Sequence, residues 1–161
     1  MSTEIRQSLL GQMAHFADEL RALRTQVHLI PDEILTGRPL ERDLSIKEIY
    51  SLLVAYDEFV YEPAAKAVLM REESSPAQPD DSVLLERSGL LELDIDAILR
   101  RGEAARVRLL VILDSLTDWS RSVGGEAMDI RRLAYSIIQH DTMLLREAAT
   151  RLYDAGRIGK H

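Results

Sequence analysis

Hydrophobic residues recur every three or four positions over long stretches of this chain, which is the spacing of one face of an α-helix. The first stretch predicts a helix over residues 5–27, with an apolar stripe formed by Ile5, Leu9, Met13, Phe16, Leu20, Leu23 and Val27. Ser45, with Glu48 three residues later, is typical of a capping box and predicts the start of a second helix. The apolar face of that helix consists of Ile46, Ile49, Leu53, Tyr56 and Val60. Pro63 predicts a kink or a restart, because proline lacks a backbone N–H, with a short continuation over residues 64–71.

The second half of the chain predicts two more long helices. Residues 93–116 carry apolar positions at helical spacing, and Asp129 is placed to cap a last helix that reaches to about Tyr153. The polar segment 73–82 contains two prolines and predicts a loop, while residues 117–127 predict a link between helices. No stretch alternates in the manner of a β-hairpin. We therefore predict one all-α domain over residues 1–161, a four-helix bundle.

Composition and charge narrow the class of protein. The 161 residues include 20 Lys+Arg and 27 Asp+Glu, a formal net charge of −7, which argues against a nucleic-acid-binding protein because such proteins neutralise phosphates with basic side chains. The lack of cysteine excludes disulfides, thiolate metal sites and thiol nucleophiles. No apolar run approaches the roughly 20 residues of a membrane span, and the first residues do not have the pattern of a signal peptide. We expect a cytoplasmic protein that binds neither nucleic acid nor membrane.

Two segments resemble one known family. Residues 44–49 (LSIKEI), followed by Leu52, Leu53, Tyr56 and Asp57, resemble the start of the second helix in DinB/YfiT-like proteins. Residues 138–145 (IQHDTMLL) resemble part of that family's last long helix, and Arg106 and residues 116–119 (LTDW) also match its layout. The resemblance covers residues 5–152 and implies a DinB-type four-helix bundle, often dimeric, with a divalent metal held by three histidines. Characterised members of that family include thiol-dependent transferases and a maleylpyruvate isomerase.

The chain departs from that family at the metal site. The resemblance places the three ligands at Leu52, His140 and Leu144, of which only His140 can bind a metal. Open catalytic sites of the zinc type use about three protein ligands, so we expect no metal cofactor. The first hypothesis is a non-catalytic member of the family that binds a small molecule or a protein. The alternative is a transferase or isomerase that depends on Zn²⁺, Ni²⁺ or Mn²⁺, held by His140 with Asp57 or Asp141, so whether the chain is an enzyme stays open.

Three charged residues fall on the apolar stripes of three different helices. They are Asp57 on the second helix, Arg106 on the third and Asp141 on the last. Because an unpaired buried charge costs several kcal/mol, we predict that the three residues form one network, with His140 beside it. The network is either an ion-pair cluster that fixes the register of the helices or the polar lining of a ligand pocket. Beside Arg106, both carboxyl groups are expected to have lowered pKa values.

The remaining candidates point to structural roles. His15 is expected on the surface, His28 at a helix end and His161 at a chain end, while Trp119 is expected to pack over a helix end. Arg151, Arg157 and Lys160 complement the dipole at the end of the last helix. A symmetric homodimer is expected, because an exposed apolar strip on a bundle typically marks an interface. The residues expected in that strip are Tyr61, Tyr135 and Met143.

Overall fold

The computed structural model describes residues 1–72, 80–121, 123 and 128–158, and the regular structure of these residues is helical. Its α-helices are α1 (Thr3–Arg24), α2 (Asp32–Thr36), α3 (Ile46–Tyr56), α4 (Glu62–Met70), α5 (Asp81–Ser88), α6 (Ile95–Ser115) and α7 (Ile130–Ile158). Short 3-10 turns occur at Val27–Leu29 and Leu90–Glu92, and a π-helical turn, Asp57–Tyr61, joins α3 to α4. The all-α prediction is therefore confirmed. No helix in the described part of the chain combines the length and apolar character that a membrane span requires.

Side-chain caps define where the long helices begin. The Ser2 hydroxyl accepts a hydrogen bond from the Ile5 N–H at 3.3 Å, and the Asp94 carboxylate accepts one from the Ala97 N–H at 2.7 Å. The predicted capping box is present at α3, where the Glu48 N–H donates to the Ser45 hydroxyl at 3.0 Å and the Ser45 N–H donates to the Glu48 carboxylate at 2.9 Å. These contacts satisfy N–H groups that have no partner within the helix.

Helix boundaries differ from the predicted ones in three places. Helix α1 ends at Arg24, so Val27 enters the core from a 3-10 turn rather than from the helix. Helix α7 continues to Ile158, five residues beyond the predicted end. Helix α5 was not predicted, because it is only eight residues long and five of these residues are polar.

The restart predicted at Pro63 takes the form of a π turn. Helix α4 begins at Glu62, and Pro63 occupies its first turn, where a missing N–H removes no helical hydrogen bond. The Glu62 N–H donates to the Asp57 carbonyl, five residues back instead of four. The chain thus continues from α3 into α4 as one long helical rod.

The long helices form a ring around the core. Helix α1 packs against α6 and α7, and the rod of α3 and α4 packs against the same two helices. The core divides into two apolar clusters, one towards each end of the long helices. The first cluster includes Phe16, Leu20, Leu52, Leu99 and Leu144, and the second includes Leu9, Met13, Tyr61, Leu109 and Ile137.

Gly102 sets the closest approach between helices. A Cβ atom built at this position would lie 2.6 Å from Val54 Cγ2 and 2.8 Å from Leu20 Cδ1, so glycine allows α1, α3 and α6 to meet. Gly102 lies one turn before Arg106 on the same face of α6, and both residues are buried. The absence of a side chain at Gly102 therefore helps to bring the Arg106 guanidinium within reach of its partners.

We expect Gly102→Ala to lower the free energy of unfolding by about 1–3 kcal/mol, because overpacking forces neighbouring side chains or backbone to move. Gly11→Ala is the matched control, since a Cβ atom at that position in α1 meets nothing within 4 Å. The control should be neutral or more stable by up to about 1 kcal/mol, because alanine favours the helix. Urea denaturation of both variants makes the comparison. Equal effects of the two substitutions would contradict the close approach at Gly102.

Candidate functional site

The three charged residues predicted to form a network meet at the centre of the ring. The Arg106 side chain is completely buried, Asp57 is 0% exposed and Asp141 is 6% exposed. Arg106 Nε and Nη2 donate to the two carboxylate oxygens of Asp57 at 2.7 and 2.8 Å. Nη1 and Nη2 donate to the two oxygens of Asp141 at 2.7 and 3.0 Å. Both pairs have the two-pronged geometry in which arginine binds carboxylates most strongly. The predicted contacts are therefore confirmed.

Arg106 also contacts α1. Nη1 donates a further hydrogen bond to the Met13 carbonyl at 3.0 Å, and the guanidinium lies over the Phe16 ring at 4.2 Å from its centroid. All five guanidinium N–H groups are used in this way. One side chain of α6 thus binds the π turn, α7 and α1 at a single level of the molecule.

Burial controls the pKa values of the two carboxyl groups. Desolvation raises the pKa of Asp57 and of Asp141, and it outweighs the opposing effect of the Arg106 charge. The pKa of Arg106 is itself raised by the two carboxylates, so the guanidinium stays protonated. The expectation of lowered carboxyl pKa values is wrong, because one cation faces two carboxylates away from water and the ionised cluster keeps a net negative charge.

His140 lies beside the network in a small aromatic group. Its ring centroid is 4.4 Å from that of Tyr56, and its Nδ1 is 3.3 Å from the Tyr61 hydroxyl. The imidazole is half-buried, and this burial lowers its pKa, so the neutral ring predominates near pH 7. Nδ1 and the Tyr61 hydroxyl share one hydrogen bond, whose direction depends on the tautomer of the ring. No described residue makes a hydrogen bond to Nε2.

Tyr56 links this group to α5. Its hydroxyl donates to the Asp81 carboxylate at 2.6 Å, and burial together with this hydrogen bond raises the pKa of Tyr56 to about 12. The π turn places Tyr56 and Tyr61, five residues apart, with ring centroids 5.6 Å from each other. In a regular α-helix, residues five apart point in different directions. The aromatic group around His140 therefore depends on the π turn.

The two leucines at the expected ligand positions belong to the apolar core. Leu52 is 1% exposed and Leu144 is 6% exposed, and both lie in the same cluster. In the described part of the chain, no three His, Cys, Asp or Glu side chains are arranged to hold a metal ion. The Asp57 and Asp141 oxygens are directed to Arg106, which leaves His140 as the one group of this set with a free ligating nitrogen.

The structure also locates the other singled-out residues. His15 is exposed and contacts Glu19 at 3.1 Å, and His28 is exposed in a 3-10 turn. Trp119 packs over the end of α6 as expected, with its Nε1 donating to the Leu113 carbonyl at 3.1 Å. Arg151 donates to the Leu44 and Gly37 carbonyls, so it ties α7 to a loop rather than serving the helix dipole alone. His161 and Lys160 lie outside the described residues, as does the side chain of Arg157.

The apolar strip expected at a dimer interface is present only in part. Tyr135 is 52% exposed and Met143 is 59% exposed on α7. The expectation for Tyr61 is wrong, since it is 5% exposed and packs into the core. The π turn rotates Tyr61 inward, whereas the prediction assumed a kink at Pro63. The homodimer itself stays a prediction.

Sequence reasoning missed a buried hydroxyl group and two cavities. Ser51 on α3 is 0% exposed, and its hydroxyl has no hydrogen-bond partner among the described residues. A buried hydroxyl without a partner destabilises a protein by about 1–3 kcal/mol. One cavity, of about 390 Å³, lies at the end of the molecule where α1 begins, and the other, of about 560 Å³, lies between α5 and the loop before α3. Asp57, Arg106, His140 and Asp141 line neither of these two cavities.

Comparison of the chain with models of protein families, with curated proteins and with solved structures gives no match.

We expect Arg106→Leu to lower the free energy of unfolding by about 3–5 kcal/mol, because it leaves two carboxyl groups buried without their cation. Asp141→Asn should cost less, since the amide oxygen still accepts a hydrogen bond from Arg106. Arg100→Leu is the control on the same helix, because Arg100 is exposed and its ion pair with Asp96 at 2.6 Å is open to solvent, where such pairs contribute little to stability. Urea denaturation of the single variants and of the Arg106→Leu/Asp141→Asn double variant measures the coupling. Additive effects would show that the two residues are not energetic partners.

The stability difference between wild type and Asp141→Asn should depend on pH. A carboxyl group with a raised pKa in the folded state binds its proton more tightly there than in the unfolded chain, where its pKa is about 3.9. Its ionisation therefore destabilises the protein, and this penalty disappears as the pH falls through the folded value. We expect the free energy of unfolding of wild type to rise relative to Asp141→Asn as the pH falls from 7 through the raised folded pKa of Asp141. A fall over this range would mean that Arg106 lowers the carboxyl pKa values.

Proposed function

We propose that this chain is a DinB-like helical bundle that has lost the metal centre of that family and works as a non-catalytic binding protein. Its partner is a small molecule or another protein, and the chain itself forms a homodimer. The observation that carries the proposal is the burial of Leu52 and Leu144, at 1% and 6% exposure, in one apolar cluster. A metal at this place would meet hydrocarbon where the family provides imidazole nitrogens.

The arrangement of the long helices supports the resemblance. Ser45 caps α3 at the start of the first matching segment, and His140 lies on α7 within the second. Leu52 lies one turn before Tyr56, and Leu144 lies one turn after His140. Because the Tyr56 and His140 rings are in contact, the three expected ligand positions belong to one region between α3 and α7. The register inferred from the sequence is consistent with this contact.

The alternative function needs His140 and a carboxylate to share a metal ion. Asp57 and Asp141 are the nearest acidic candidates by sequence, and each already accepts two hydrogen bonds from Arg106. Releasing either one would leave part of the buried guanidinium without a partner, at a cost of several kcal/mol. This cost disfavours a metal-dependent transferase or isomerase.

The neutral imidazole of His140 offers a different kind of contact. Nδ1 is oriented by Tyr61, one face is covered by Tyr56, and the Nε2 side has no described hydrogen-bond partner. Such a group forms one directed hydrogen bond with a ligand or a partner protein, as donor or acceptor according to its tautomer. His140 is therefore the residue of this region that we expect a binding partner to contact.

We expect protein purified without a histidine tag to retain far less than one equivalent of Zn²⁺, Ni²⁺ or Mn²⁺ per chain after incubation and dialysis. Elemental analysis makes the measurement. Near one equivalent per chain would contradict the proposal, because an open site of the zinc type requires about three ligands.

Leu52→His combined with Leu144→His should restore metal binding by rebuilding a set of three imidazoles. The matched control is Leu53→His with Leu145→His, which adds the same two side chains one position further along each helix. Circular dichroism verifies that both double variants remain helical. If the folded Leu52/Leu144 variant binds no more metal than the control, the inferred register is wrong.

A further inference from the structure

A cavity of about 390 Å³ lies at the end of the molecule where α1 and α7 begin and α6 ends. Its volume falls in the range of about 300–1,000 Å³ that is typical of small-molecule sites. The charged and aromatic side chains of its wall are those of Arg6, Asp118, Trp119, Asp129 and Arg131. Met1 also lines the cavity, and its α-amino group adds positive charge near Asp118. These residues come from three separate parts of the chain, and none of them belongs to the network around Arg106.

The core holds the wall of this cavity in place. Trp119 is 4% exposed and packs in the apolar cluster with Leu9 and Leu113. The Arg6 guanidinium lies 5.6 Å from the centroid of the Trp119 ring. Trp119 also pairs with α7 through its backbone, since its carbonyl accepts a hydrogen bond from the Arg131 N–H at 3.2 Å. The cavity is therefore formed before any ligand arrives.

Two arginines of the wall have hydrogen-bonding capacity to spare. Arg6 donates to the Asp114 carbonyl through Nη2 and pairs with the Asp114 carboxylate at 3.5 Å, while Nη1 and the buried Nε have no partner among the described residues. Arg131 is exposed in the first turn of α7 and makes no ion pair with a described residue. A cation in the first turn of a helix is unfavourable, because the helix dipole places partial positive charge there. The fold alone does not explain an arginine at this position.

Two aspartates of the wall balance these cations. Asp118 accepts hydrogen bonds from the Ser120 N–H at 3.0 Å and from the Ser120 hydroxyl at 2.5 Å, and these bonds lower the pKa of Asp118. Asp129 caps α7 by accepting from the Arg132 N–H at 2.8 Å. Each of these bonds uses Oδ1, so both carboxylates are fixed in place while Oδ2 has no described partner. A purely anionic ligand would be repelled by them, and a purely cationic one by the arginines.

We propose that this cavity binds a small zwitterion of the α-amino acid class. Arg6 and Arg131 bind the carboxylate of the ligand, and Asp118 and Asp129 bind its ammonium group. Thr117 supplies a further hydroxyl at the wall. This site names a ligand class for the proposed binding protein but depends on neither the DinB resemblance nor the absence of a metal.

The test uses the full chain and each of the twenty L-amino acids, supplied singly at a fixed millimolar concentration. Thermal unfolding identifies those that raise the melting temperature, and calorimetry measures their dissociation constants. For the best amino acid, the same measurements use two analogues, the carboxylic acid without the amino group and the amine without the carboxylate. Arg131→Gln tests the site, and Arg146→Gln, an exposed arginine further along α7, is the matched control.

We expect at least one amino acid to bind, with both analogues at least about tenfold weaker, because each loses a charge-assisted hydrogen bond. Arg131→Gln should weaken binding by a similar factor, and Arg146→Gln should leave it unchanged. The proposal is overturned if no amino acid binds, if either analogue binds as well as the parent, or if Arg131→Gln has no effect. Because Arg131 is exposed, its variant should fold normally. Metal content does not enter this experiment, so its outcome and that of the metal analysis are independent.

Discussion

The Arg106 guanidinium donates five hydrogen bonds in the centre of the molecule, two to Asp57, two to Asp141 and one to the Met13 carbonyl. Apolar side chains of similar volume at all three charged positions together could fill the same space with equal or better stability, because burying the charges costs about as much as their attraction returns. Apolar contacts, however, do not have the directional geometry of hydrogen bonds. The hydrogen bonds reach α1, the π turn and α7 at fixed angles. They therefore specify how α1, the rod of α3 and α4, α6 and α7 are aligned along their axes.

The position of the charged network divides the core. The network lies at one level of the molecule, marked by Met13, Asp57, Arg106 and Asp141. Along each long helix, the buried apolar residues on one side of this level belong to the first cluster, and those on the other side belong to the second. Apolar contacts alone tolerate a shift of a helix by one turn, because leucine can replace leucine in the next layer. A carboxylate moved by one turn would lose Arg106. We therefore regard the network as the element that fixes register, and Gly102 as the residue that gives it room.

The sequence predicted the structure best at residues whose placement follows from one physical requirement. Charged side chains on apolar stripes must find partners, which is why Asp57, Arg106 and Asp141 were predicted to meet, and the capping box at Ser45 follows from local geometry alone. The π turn was not predictable, because its extra residue changes the helical period on which the assignment of faces depends, and Tyr61 was misplaced as a result. The direction of the carboxyl pKa values also required the structure, since it depends on the degree of burial.

Satisfying the central charges has a consequence for where a ligand can bind. A guanidinium whose five N–H groups are all used offers nothing to a small molecule, and the leucines at positions 52 and 144 fill the adjacent space. Binding in the interior would require breaking bonds that hold the rods in register. Polar groups with unused capacity occur instead outside this centre, at His140 Nε2 and at Arg6 and Arg131. The polar groups that we propose as ligand contacts therefore lie at the side and at one end of the long helices, away from the central network.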